Sequence, residues 1–99
     1  MIVERYTFNV KLGCLEKIID LALQYKSWWI ERNVPIRYYT PYYSPRDVFV
    51  VEYEFESLGI ADKVEKEWIK SKEYADLIPK WFELAERGGK AEIWEVNKV

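Results

Sequence analysis

The chain has 99 residues, with 15 lysines and arginines against 17 aspartates and glutamates, a single cysteine and no histidine. Charge so nearly balanced, with both signs interspersed, leaves no basic footprint for nucleic acid or for an anionic membrane surface. One cysteine excludes a disulfide within the chain, and the lack of histidine argues against the usual zinc and copper sets, haem ligation by imidazole, and imidazole catalysis, so no metal or cofactor is expected.

Hydrophobic residues make up 49% of the chain, enough for a folded core, and the length suits one domain over residues 1–99. No apolar run approaches the roughly 20 residues of a membrane span. The start Met1-Ile2-Val3-Glu4-Arg5 lacks the basic-then-apolar order of a secretion signal, so a cytoplasmic location is expected.

Residues 2–12 alternate, with Tyr6, Phe8, Val10 and Leu12 on one side and Arg5, Thr7, Asn9 and Lys11 on the other, the pattern of a strand ended by Gly13. Residues 14–32 follow helical spacing, with a stripe of Leu15, Ile18, Ile19, Ala22, Tyr25 and Trp29. Trp28 is expected at the margin of that stripe, free to meet a partner chain. Val34-Pro35 ends the helix, because the residue before proline avoids the helical region. A second strand is expected over residues 36–43, and Pro41, which cannot donate to a ladder, makes it an edge. Ser44-Pro45-Arg46-Asp47 suits a type I turn. Residues 48–56 alternate most clearly, Phe49, Val51, Tyr53 and Phe55 against Val50, Glu52, Glu54 and Glu56.

Ser57 is placed to cap a helix with the stripe Ile60, Ala61, Val64 and Trp68. Residues 71–78 read as a short helical turn, and Pro79 as the first position of a further helix carrying Trp81, Phe82, Leu84 and Ala85. Gly88-Gly89 stops it, and residues 90–96 form a last strand. The order βαββαβ, with the second helix broken, is the α+β plan of a ferredoxin-like sandwich, whose first and third strands lie at the centre.

Two layers leave one sheet face bare. Tyr6, Phe8, Val10, Phe49, Val51, Tyr53 and Phe55 are the set expected to face the helices. Arg5, Thr7, Asn9, Val50, Glu52 and Glu54 then occupy the other face, which is either solvated or the lining of a cavity. On the second strand Tyr38 and Tyr42 share one side and Tyr39 and Tyr43 the other, so either orientation leaves rings on the bare face. A second copy laid over that face would close two sheets into a barrel, and a homodimer is expected.

This cadence, with residues 66–96 (KEWIKSKEYADLIPKWFELAERGGKAEIWEV) and the phrase Trp-x-x-Ser-x-Glu-Tyr from Trp68 to Tyr74, resembles the dimeric α+β barrel superfamily, which includes the antibiotic-biosynthesis monooxygenase-like and NIPSNAP-like families. The resemblance implies a homodimer with a pocket between each sheet and its helices for a small organic molecule. Cofactor-free oxygenases, haem-degrading oxygenases, isomerases and dehydratases occur among its members. The haem-degrading branch uses an asparagine on the first strand, a tryptophan in the second helical region and a downstream histidine. Asn9 and Trp68 match the first two; the histidine has no counterpart, so that route is not expected.

The candidate catalytic residues are Asn9 and Glu52. The Asn9 amide suits a ligand carbonyl or hydroxyl, or simply water. Partial burial would fit Glu52 for proton transfer, although alternating glutamates also describe a wet strand face. The candidate ligand-binding residues are Arg5, Thr7, Tyr38, Tyr42 and Trp68. Arg5 would clamp a ligand carboxylate or neutralise Glu52 or Glu54. Trp68 and Trp81 have core spacing, with packing or a pocket wall as their roles. Cys14 opens a helix, where a thiol is acidified, but no base is at hand and packing is the alternative. The expected function is a homodimeric small-organic-ligand-binding protein, acting as a cofactor-independent monooxygenase or isomerase, or else as a ligand-sensing or protein-interaction module. Neither nucleic acid nor membrane is an expected partner.

Overall fold

Seven elements follow one another in the computed structural model, which describes residues 1–44 and 46–97: β1 (Ile2–Asn9), α1 (Leu15–Ile30), β2 (Ile36–Tyr39), β3 (Val48–Phe55), α2 (Leu58–Lys70), α3 (Lys72–Leu84) and β4 (Lys90–Glu95). The strands form one antiparallel sheet in the order β2-β3-β1-β4, so β1 and β3 are central as expected. Their register sets Phe8 opposite Phe49, Tyr6 opposite Val51 and Arg5 opposite Glu52. Because side chains alternate along a strand, that register decides what reaches each face. Glu4, Tyr6, Phe8, Tyr38, Val51 and Tyr53 look toward the helices, and Arg5, Thr7, Arg37, Tyr39, Val50 and Glu52 look away.

Ile18 of α1 and Phe49 of β3 are both fully buried and anchor the core. Burial of each side chain contributes roughly 1.5–3 kcal/mol. Trp28 departs from its expected place at the helix margin. It is buried against Trp29 and Trp68, with ring centroids 4.9 Å away in both cases. The Arg32 guanidinium lies 3.7 Å over its ring and completes its cover. The apolar face of α1 is therefore wider than one stripe, since Leu21 and Trp28 are buried beside Ile18, Ala22 and Trp29.

Several expected boundaries move. β1 stops at Asn9, short of residues 10–12, and Leu12 is exposed. β2 ends at Tyr39, so Tyr42 and Tyr43 lie beyond the sheet and are exposed. Pro41 has no N–H with which to extend pairing to β3. The turn expected at Ser44-Pro45-Arg46-Asp47 includes Pro45, which lies outside the described residues. The break in the second helical region falls at Ser71, not before Pro79. The Ser71 hydroxyl donates to the Trp68 carbonyl at 2.6 Å and accepts from the Tyr74 N–H at 3.0 Å, ending α2 and starting α3 with one side chain. Pro79 sits inside α3, where it removes only the N–H that would reach the Ala75 carbonyl. At the entry to β4, Gly89 has φ +95° and lies so close to β1 that an added Cβ would stand 2.2 Å from the Thr7 carbonyl oxygen.

Candidate functional site

Between the sheet and its helices lies a cavity of about 380 Å³. Ten of its sixteen wall residues are aromatic, and Glu65 is the one charged wall residue among the described residues. Each element contributes according to its own periodicity. The inward side of β1 supplies Tyr6 and Phe8, β2 supplies Tyr38, and β3 supplies Val51 and Tyr53. Helix α1 adds Ala22, Tyr25 and Trp29, the i, i+3, i+7 positions of one face. Helix α2 adds Glu65 and Trp68, three apart and so on one face, and α3 adds Tyr74, Leu77, Ile78 and Trp81. Ile69 and Phe82 also line the cavity and are exposed, marking its mouth.

The rings hold one another in place. Trp29 meets Tyr53 at 4.3 Å and Trp68 at 5.1 Å between centroids, and Phe8 meets Trp81 edge to face at 5.0 Å. Such contacts stabilise each pair by roughly 0.5–1.5 kcal/mol beyond burial and keep the walls from collapsing inward. Polar atoms are few. The Tyr38 hydroxyl donates to the Ala22 carbonyl at 3.1 Å, tying β2 to α1, and burial pushes its pKa up to about 12. Burial likewise raises the Tyr53 hydroxyl well above its ordinary value. The buried indole N–H of Trp81 finds no hydrogen-bond partner among the described residues.

One end of the cavity is acidic. The Tyr6 hydroxyl stands 3.1 Å from a Glu4 carboxyl oxygen and 3.1 Å from one of Glu65. A phenol carries a single proton, so both contacts are strong hydrogen bonds only if Tyr6 donates to one carboxylate and accepts from the other as a carboxylic acid. Glu4 is 5% exposed. Its burial, and then the hydrogen bond and charge of Glu65, push its pKa up to about 7. Burial and the two carboxyls raise Tyr6 as well, keeping it a neutral phenol. Tyr6 thus links two carboxyls, Glu4 buried behind it and Glu65 at the cavity wall.

The candidates named from the sequence divide between the two sheet faces. Tyr38 and Trp68 are walls of the cavity. Arg5, Thr7, Asn9 and Glu52 lie on the outward side, and Tyr42 lies beyond β2, fully exposed. Glu52 is 5% exposed there and gathers its neighbours. Arg5 contacts it through Nε at 2.8 Å and Nη2 at 2.6 Å, the Tyr39 hydroxyl donates to it at 3.1 Å, and Arg37 approaches to 3.7 Å. The Arg5 guanidinium also lies 5.8 Å from the Trp94 ring centroid. The Asn9 amide donates to the Arg87 carbonyl at 3.4 Å, near the glycine turn. Arg5, Thr7, Tyr39, Val50, Lys90 and Glu92 border a shallow hollow on this face.

Glu4, Tyr6 and Glu65 were not singled out from the sequence. Glu4 shares the inward parity of Tyr6 and Phe8, so a carboxylate at a core-facing position was the available signal. Glu65 follows Ala61 by four residues and precedes Trp68 by three, which sets it on the buried side of α2. Among the described residues no cluster of metal-ligating side chains is present and no helix is long and apolar enough to cross a membrane.

No family model matches the chain, and no curated protein matches it. Solved structures do, over nearly the whole length. An uncharacterised NIPSNAP domain protein from Burkholderia xenovorans is 10% identical, with a TM-score of 0.83 over 98% of this chain and 95% of its own. A NIPSNAP family protein from Agrobacterium tumefaciens is 15% identical, with a TM-score of 0.81 over 97% and 92%. A candidate antibiotic biosynthesis monooxygenase from Nitrosomonas europaea is 13% identical, with a TM-score of 0.77 over 97% and 98%. At these identities the likeness is one of fold: this chain has the α+β fold of NIPSNAP-domain and antibiotic-biosynthesis monooxygenase-like proteins.

Proposed function

We propose that the protein binds a small organic molecule in the cavity between its sheet and helices, and that the Glu4–Tyr6–Glu65 group moves a proton to or from that molecule. The observation that carries this reading is an aromatic cavity of about 380 Å³ with a carboxyl at its wall. That volume falls in the range of small-molecule sites, which are mostly apolar with a few convergent polar groups. Proton transfer needs a group that titrates near neutrality, and Glu4, raised to about 7, meets that requirement beside Glu65. Isomerisation or oxidation of an ionisable substrate both begin with such a step. Tyr38 and Trp68 serve as binding walls in this scheme.

The outward face is assigned a different task, contact with a second copy. Arg5, Thr7, Tyr39, Glu52 and Trp94 lie on a sheet face with no second layer, and Glu52 draws two arginines and a tyrosine into one ordered patch. Asn9, hydrogen-bonded near the glycine turn, acts in holding β1 against the loop before β4.

Native mass spectrometry of gently purified protein tests both parts. The expected result is a species at twice the 12.0 kDa chain mass, carrying additional small-molecule mass that acid denaturation releases. A strictly monomeric species removes the second-copy assignment. Protein that carries no added mass and takes up none from a library of neutral and charged aromatic compounds removes the binding reading.

A further inference from the structure

We infer that the occupant of the cavity is an organic cation, an amine or quaternary ammonium group carried on an apolar body. The inference rests on the cavity being the ligand site and names the class of molecule that site takes. Three observations point the same way.

First, the wall holds one carboxyl, Glu65, and no lysine or arginine among the described residues. Glu4 adds a second buried carboxyl behind Tyr6. Arg32 sits on Trp28 and reaches Glu67 at 3.5 Å, Lys80 pairs with Asp76 at 3.2 Å and Lys66 with Asp62 at 2.9 Å, while Lys26 lies 5.8 Å from the ring centroid of the wall residue Tyr38 without itself lining the cavity.

Second, the Tyr6 oxygen stands between the two carboxyls at 3.1 Å from each, so two acidic groups converge at one end of the cavity. A half-buried carboxylate at an apolar, aromatic wall without a cationic partner is unfavourable, and a bound cation supplies that partner. An anionic ligand would meet the carboxylate with nothing to offset it.

Third, tryptophan and tyrosine rings attract cations through their faces, and the interaction strengthens when water is excluded. Trp29, Tyr53 and Trp68 stand together at this site. The same cluster already holds a cation on its outer side, the Arg32 guanidinium 3.7 Å over Trp28. A cavity of about 380 Å³ exceeds a bare ammonium group, so an apolar body accompanies the charge.

A benzyl series changes only the head group: benzyltrimethylammonium, benzyl alcohol and benzoate, titrated against the tryptophan fluorescence of the wild type and of Glu65→Gln. The cation is expected to bind at least about tenfold more tightly than the alcohol, and benzoate to show no saturation. Glu65→Gln keeps a partner for Tyr6 and removes the one carboxyl at the wall, leaving only Glu4 behind Tyr6, so it should shrink the gap to less than about threefold. Alcohol binding without a cation preference, or a preference that survives Glu65→Gln, overturns the inference while the ligand site stands. If none of the three binds, both fall. Should Glu65→Gln not fold, the wild-type ranking of the three head groups decides.

Discussion

A carboxyl buried beside a second carboxyl keeps its proton to higher pH, and Glu4, pushed up to about 7, does so beside Glu65. In the unfolded chain Glu4 titrates near its ordinary 4.5. Between those values the folded state holds a proton that the unfolded state has lost, so stability falls as pH rises through the window and the loss is complete above about 7. The difference amounts to roughly 1–3 kcal/mol. Urea unfolding at about pH 5, 6, 7 and 8 should therefore give midpoints that decrease with pH, and Glu4→Gln should flatten the profile. A midpoint that climbs over the same range would contradict the shared proton. Glu52 offers a contrast on the other face, because it is surrounded by cations. Glu52→Ala strands Arg5, Arg37 and the Tyr39 hydroxyl around a vacated buried site. Since the two arginines are themselves half-exposed and regain water, the expected cost is about 1–3 kcal/mol in urea unfolding. Arg37→Ala should cost less than about 1 kcal/mol, as an exposed pair does; equal costs would show that Glu52 does not organise the patch.

Element boundaries depend on single residues that manage backbone geometry. Gly89 is the sharpest instance: at φ +95° and with β1 in the way, any Cβ must displace the Thr7 carbonyl and with it the β1–β4 ladder. Gly89→Ala is expected to lower stability by several kcal/mol, on the order of 3 or more, measured as a drop in thermal midpoint. Gly88→Ala should be milder, because its Cβ would meet the amide end of the Asn9 side chain, which can rotate away. Equal losses would mean that the positive φ matters and the close approach does not. Periodicity carried the elements well: the alternation of Tyr6 and Phe8 with Arg5 and Thr7, and of Phe49 to Phe55 with Val50 to Glu54, assigned both central strands to their faces. Proline misled twice. Pro41 lies beyond a strand that stops at Tyr39, and Pro79 lies inside a helix whose start Ser71 caps through its hydroxyl. A proline's missing N–H excludes some positions without choosing among the rest, whereas a capping serine shows its partner only once the backbone is in place.

For the whole molecule, strand order follows from βαββαβ connectivity and was legible in the chain, as was the two-layer plan. The candidate site was less so. The candidates Arg5, Thr7, Asn9 and Glu52 lie on the outward face, while the cavity forms on the helix side, where the resemblance implies a pocket and where the candidates Tyr38 and Trp68 stand among rings of core spacing. Trp29, Trp68 and Trp81 are spaced like core residues because they pack in the core and also present a face to the cavity. No pattern in one dimension tells a wall from a filled interior. The acidic end was hidden for a related reason, since Glu4 and Glu65 lie 61 positions apart and meet around the Tyr6 hydroxyl only in the folded chain. The five tryptophans give the most direct test, because their indole N–H signals report separately on the two sheet faces. Trp29, Trp68 and Trp81 line the cavity, whereas Trp94 stands beside Arg5 on the outward face. In proton–nitrogen correlation spectra recorded while benzyl alcohol is added, the indole signals of Trp29, Trp68 and Trp81 should shift together and saturate, with that of Trp94 unmoved. A saturable shift confined to Trp94, or no shift at any tryptophan, would contradict a ligand site between the sheet and its helices.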